Sequence, residues 1–256
     1  SKELRMRGHQ NLTVHALGPR TEDSFAIGDP LDRKAHAFLA RTTGLQGYWS
    51  TRATKEMLGI IVDYKPDVVR LGNLHSNFVH VPHLLEHLAE HRIPTVLTLH
   101  DCWFFTGKCT HYSAIECLRW QNGCGSCPQL RDDIPSWFFD RTSRMWKDKR
   151  NLFAAHECLG VVGVSDWITG QAASSFLATA RILTRIYNWV DLDTFRFRPT
   201  NYRRRNGWGN DFLIMAVASE WSMTKGLRDL IELAGALPQD MRLLIVGALP
   251  EGLVLP

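Results

Sequence analysis

No stretch of the chain approaches the ~18 consecutive apolar residues of a membrane-spanning helix, and no signal-peptide pattern precedes its first helical stretch. A soluble, cytoplasmic protein is the expectation. Internal repeats and low-complexity tracts are missing too, which argues against solenoids and disordered tails. Charge of one sign is scarce: the formal net charge is +4, too small to demand nucleic acid, though it suits an anionic ligand or an acidic membrane surface. No paired carboxylates stand out at the spacing of a hydrolase, which speaks against a glycosidase. An initiator methionine is also lacking, and SKELRMRGHQ reads as the second half of a helix, so an N-terminal truncation is expected.

What is present can build a core, since 45% of the 256 residues are hydrophobic. Short runs rich in Val, Ile and Leu recur at 12–18, 67–71, 95–99, 159–164, 182–187, 212–218 and 242–247. Amphipathic stretches lie between them: Leu84, Leu85 and Leu88 share one face of 83–92, and Leu227, Leu230, Ile231 and Ala234 share one face of 225–237. Strands without polar alternation, separated by helices, mean a parallel sheet covered on both faces. The fold class is therefore α/β.

A break in the apolar pattern at 199–211, PTNYRRRNGWGND, predicts a domain boundary. A nearly complete first domain, 1–198, would precede the opening strand, helix and strand of a second, 211–256. Arg203 to Arg205 read as a solvated linker face rather than a binding patch.

In a parallel sheet, ligands bind in the crevice beyond the carboxyl ends of the strands. The residues following each run therefore name a candidate rim: Gly72, Asn73 and His75; His100 and Asp101; Ser165; Asn188 and Asp191. Most of these residue types also cap helices or form turns. Ser165, just before DWITGQAASSFL, reads first as an N-cap. A His-Asp pair directly at a strand end is a poorer choice for closing a turn, so His100 and Asp101 are the functional candidates.

The segment from Thr98 to Gln129 holds five of the six cysteines. Cys109, Cys117, Cys124 and Cys127 stand as C-x7-C-x6-C-x2-C, a pattern able to place four thiolates on a structural zinc ion, with His111 able to replace one. Reduced, buried thiols and a pair of disulfides remain open alternatives; a cytoplasmic compartment disfavours the last. Cys102 and Cys158 read as buried small hydrophobes. Of Trp103, Phe104, Phe105, Trp120, Trp137, Phe138, Phe139 and Trp146, most are expected in the core, with stacking faces for a sugar or lipid-linked acceptor as the other use.

The segments DVVRLGNLHS, VLTLHDCWFFTGKC, the cysteine cluster ending QNGCGSCPQ, RIYNWVDLDTFRF and VASEWSMTKGLRDLIELA together resemble glycosyltransferase family 4. The nearest resemblance is to its bacterial branch acting in colanic acid biosynthesis. It runs from about Asp67 to Gly247, and the cysteine-rich segment, 102–130, is its most specific part. The resemblance implies the GT-B type: two doubly wound Rossmann-like domains, a nucleotide sugar (UDP-, GDP- or dTDP-linked) held by the C-terminal one, and a glycan or lipid-linked oligosaccharide acceptor on the N-terminal one. It also implies retention of anomeric configuration with no metal required for catalysis, and peripheral contact with the inner membrane face where the acceptor is lipid-linked.

Residue by residue, the resemblance gives His100 to the donor sugar and Asp101 to the orientation of that loop; Asn73 and His75, on the strand-end rim of the N-terminal domain, are the acceptor-side candidates. Lys225 and Gly226 would bind the donor diphosphate, with Asn188, Ser165 and Glu220 nearby. Two positions depart from the pattern. The Arg usual five residues before the lysine is Glu220, and the Gly of the usual Asn-Gly-Val-Asp segment is Trp189. The family's downstream pair of Glu residues lies beyond Pro256, so half a donor site is expected to be missing. A catalytically silent sugar-nucleotide-binding or scaffold protein is the alternative reading.

Overall fold

The computed structural model describes residues 2–18 and 21–253. The elements run α1 (Lys2–Met6), β1 (Thr13–His15), β2 (Ser24–Ala26), α2 (Pro30–Thr43), α3 (Thr51–Tyr64), β3 (Val69–Leu71), α4 (Val81–Glu90), β4 (Thr95–Leu99), α5 (Thr142–Ala154), β5 (Leu159–Gly163), α6 (Asp166–Ala173), β6 (Ile182–Arg185), α7 (Tyr202–Arg205), β7 (Phe212–Glu220), α8 (Leu227–Ala236) and β8 (Met241–Ala248). Every strand pairing is parallel. The α/β expectation holds.

The chain forms two compact units, Ser1–Trp189 and Val190–Pro256. The boundary expected at 199–211 thus falls inside the second unit. Early in the second unit Asp191 accepts from Asp193 N–H at 2.9 Å and from the Thr194 hydroxyl at 2.7 Å, and α7 carries Arg203 to Arg205 exposed.

In the first unit the main sheet has the order β3-β4-β5-β6, and β1 and β2 form a separate ladder. Its centre is apolar because its strands are. Leu97, Leu99 and Val161 are fully buried, packed with Leu84, Leu85 and Leu88 of α4. Helix α4 packs in turn on α3 and α5. In the second unit β7 and β8 pair across the helix α8 that joins them.

Helix α2 shows how local sequence sets a boundary. Asp29 caps its first turn by accepting from Asp32 N–H at 2.8 Å, and Pro30 starts it with a preset φ. It ends at Gly44, whose φ of +75° suits glycine. A β-carbon there would stand 2.2 Å from the carbonyl oxygen of Phe139, so the absent side chain also lets the 136–139 loop close on the helix end. Gly44→Ala should lower unfolding free energy by about 2 kcal/mol, seen as a lower urea midpoint at unchanged slope.

Candidate active site

Strand β4 ends with Leu99 buried, and the next two residues turn in different ways. His100 is exposed to solvent on the rim, whereas the Asp101 carboxylate is only 10% exposed. One Asp101 oxygen accepts from the Trp103 N–H at 2.9 Å, and the other accepts from His75 Nε2, also at 2.9 Å. Burial pushes the Asp101 carboxyl up, but the bonds from His75 and Trp103 outweigh it and hold the group below the usual carboxylate range. It is therefore a fixed negative charge.

The bond from Trp103 N–H fastens Asp101 to the turn after β4. One ring nitrogen of His75 is hydrogen-bonded to Asp101, and the Trp103 ring lies 6.0 Å from its own. The His75 carbonyl accepts from Gln46 at 2.7 Å, so the segment after β3 is tied down from both sides. Asn73 is exposed on the same segment.

The neighbouring strand end is β5, since Leu99 pairs with Gly163. Gly163 lets the first turn of α6 approach: a β-carbon would meet the Thr169 nitrogen at 2.9 Å. Ser165 caps that helix, accepting from Ile168 N–H at 3.3 Å, so its hydroxyl is engaged structurally. Asn188, beyond β6, is exposed. Lys225 and Gly226 belong to the second unit: a short 3-10 turn, Met223–Lys225, leads through Gly226, at φ +77°, into α8. Lys225 is exposed there, as is Glu220 at the end of β7.

The cysteine segment is a braced loop. All six cysteines are free, and Cys102 is buried, which pushes its thiol up to about 12. Among the described residues no three His, Cys, Asp or Glu side chains are grouped so as to hold a metal ion. Cys124 accepts from the Gly107 N–H at 3.2 Å, and Cys109 is hydrogen-bonded to Cys127, which lifts the first thiol and lowers the second.

Two lysines that the sequence pattern does not single out brace the loop. Lys108, 2% exposed, donates to the carbonyls of Gln129 at 2.6 Å, Leu130 at 3.2 Å and Ile134 at 3.1 Å, and to that of Asp133. Lys149, from α5, donates to Trp103, Thr106 and Gly107 carbonyls and lies 3.6 Å from the Trp103 ring centroid. Tyr112 bonds Gln171 and so ties the insertion to α6. Trp103, Phe104, Phe105, Trp120 and Trp146 are core, as expected for most of the aromatics; Trp137, Phe138 and Phe139 are exposed.

A fixed carboxylate and an exposed imidazole at adjacent strand-end positions can position and contact a polar ligand. That geometry alone fits several chemistries. A family model described as Glycosyltransferase Family 4 matches residues 1–194. The chain belongs to glycosyltransferase family 4. Within it, the chain is similar to "Putative colanic acid biosynthesis glycosyl transferase WcaC" of Escherichia coli (strain K12), with 33% identity over 105 residues. That match covers 39% of this chain and 25% of the relative, so the chain spans about a quarter of the length of the curated protein it matches. No helix among the described residues is long and apolar enough to cross a membrane.

Proposed function

We propose that this chain contributes to a retaining, GT-B-type hexosyltransferase that moves a sugar from a UDP-, GDP- or dTDP-linked donor to a glycan or lipid-linked acceptor in bacterial surface polysaccharide synthesis. The observation that carries the reading is the strand-end pair in a family 4 chain: His100 exposed to solvent, and Asp101 next to it in the chain held by Trp103 N–H and His75. Breaking the anomeric C–O bond leaves negative charge on the diphosphate and positive charge on the sugar. Fixed positive charge at the phosphates, with shaped polar contacts at the sugar, lowers that barrier. His100 supplies the sugar contact in this scheme. Lys225, exposed in the turn that leads into α8, supplies the diphosphate contact. Glu220 would repel a diphosphate unless turned to another group.

The test uses the whole protein, a panel of UDP-, GDP- and dTDP-sugars, and nucleoside diphosphate release with and without a membrane lipid extract. Release from one donor, raised by the extract, is expected. No release from any donor by folded protein would favour a silent sugar-nucleotide-binding or scaffold role. Lys225 is exposed, so Lys225→Ala should leave folding intact and raise the donor KM by roughly tenfold through a lost charge-assisted phosphate contact. An unchanged KM would remove Lys225 from the site.

A further inference from the structure

We propose that Trp167, backed by Tyr112 and flanked by Asp166, Arg185 and Tyr187, is a stacking subsite for a neutral hexopyranose ring of the acceptor. The indole stands in the first turn of α6, at the carboxyl end of β5, and β5 is the strand next to the one that ends at His100. A parallel sheet offers this rim to its ligands. Trp167 is 50% exposed, whereas a tryptophan placed for packing alone buries most of its ring.

The indole is held from one side. The Tyr112 ring, 5% exposed, lies within 24° of parallel to it with centroids 6.1 Å apart, so Trp167 rests on a buried aromatic. Tyr112 is itself fixed: its hydroxyl bonds Gln171, one turn further along α6, and its ring centroid is 5.0 Å from that of Trp120. The turn that carries the indole is closed by the Thr169 hydroxyl, which donates to the Ser165 carbonyl at 2.8 Å. The cysteine-rich insertion thereby supplies the support for a flat apolar face on the rim.

Polar groups on the same rim select the ligand. The Asp166 carboxylate is bonded to Arg185 Nε at 2.7 Å and accepts from the Tyr187 hydroxyl at 2.5 Å, and the Arg185 guanidinium lies 3.9 Å from the Tyr187 ring centroid. Arg185 ends β6 and pairs with Gly163 of β5, which sets the three groups beside the start of α6. Asp166 remains 76% exposed, so an acceptor oriented by two donors is open to solvent before any ligand arrives. A pyranose matches this set: its C–H face lies on an indole while its hydroxyls bond a carboxylate and a guanidinium. Because Asp166 offsets the charge of Arg185, the pair exerts no net pull on a phosphate, which favours a neutral sugar over a nucleotide.

The place of this subsite in the reaction rests on the transferase reading, but its test contains no donor. The whole protein is titrated by calorimetry with disaccharides of neutral hexoses, with disaccharides containing an N-acetylhexosamine, and with UMP and GMP. Saturable binding of at least one disaccharide is expected. Trp167→Ala should weaken it by about tenfold or more, and Trp167→Phe, which keeps an aromatic face, should stay within about threefold of wild type, with thermal unfolding unchanged in both. If Trp167→Ala does not fold, Asp166→Ala decides, with an expected loss of about fivefold for the missing acceptor. In the transfer assay Trp167→Ala should raise the acceptor KM and leave the donor KM as it is. Binding of no disaccharide, or equal binding by wild type and the alanine variants, would overturn the proposal even where nucleoside diphosphate is released. UMP or GMP affinity lost in Trp167→Ala, with disaccharide binding untouched, would overturn it and give the platform to a nucleobase. Disaccharide binding that needs Trp167, without release from any donor, would keep the sugar subsite and remove the transfer reading.

Discussion

Lys149→Met is expected to lower unfolding free energy by at least ~3 kcal/mol, measured by urea denaturation at neutral pH. Lys149 is 4% exposed and its ammonium donates to three carbonyls, those of Trp103 at 2.6 Å, Thr106 at 3.0 Å and Gly107 at 3.3 Å. Methionine matches the stem but offers no donor, so three carbonyls remain in a dry interior at roughly 1–3 kcal/mol each; some relaxation brings the sum toward the lower end. Loss of the cation over Trp103, 3.6 Å from the ring centroid, adds to it.

The deficit should also depend on pH. Burial lowers the Lys149 ammonium to about 7, against an unfolded value near ~10.4. Between these limits the unfolded chain holds more protons, so the stability contributed by Lys149 rises with pH across the window. The gap between wild type and Lys149→Met should therefore be wider at pH 9 than at pH 7. A gap that narrows would mean that the carbonyls hold the charged form more strongly than burial disfavours it.

Sequence pattern reaches the sheet more readily than the braces. Strands β3 to β8 coincide with the Val, Ile and Leu runs, since parallel strands carry little polar alternation to hide them; β4 and β5 are buried along most of their length, whereas β6, β7 and β8 leave many of their apolar residues exposed. Strand β2, only Ser24–Ala26, is too short to show a period. Lysine reads by default as solvent-facing, which is why neither Lys108 nor Lys149 stands out among the charged residues. Yet a signal exists for one of them. Met145, Trp146, Lys149 and Phe153 recur on a single helical face of α5, and all four are buried, so the helical period by itself puts Lys149 on the inward side. Lys108 lies in a loop with no period to read. The aromatics divide for a similar reason: Trp103 to Phe105 follow a buried strand, while Trp137 to Phe139 sit in a loop where composition alone does not distinguish core from surface.

His100→Ala should reduce sugar transfer by roughly a hundredfold or more while unfolding free energy stays within ~0.5 kcal/mol of wild type, because the side chain is exposed at the strand end. Asp101→Ala should act on both quantities. It strands the Trp103 N–H and frees His75, at about 1–3 kcal/mol for the lost buried bonds, and it lets the turn that presents His100 drift. Asp101→Asn separates the two roles. Its carbonyl oxygen can still accept from Trp103 N–H, so the turn keeps its shape, while its amide meets His75 without the negative charge. If transfer survives in Asp101→Asn and fails in Asp101→Ala, the carboxylate serves as a positioning group for His100. If both variants fail while Asp101→Asn remains as stable as wild type, the charge itself acts on the transferring sugar, since a fixed anion close to an oxocarbenium-like centre stabilises the charge that develops there. Unchanged turnover in His100→Ala would take the site away from this strand end altogether.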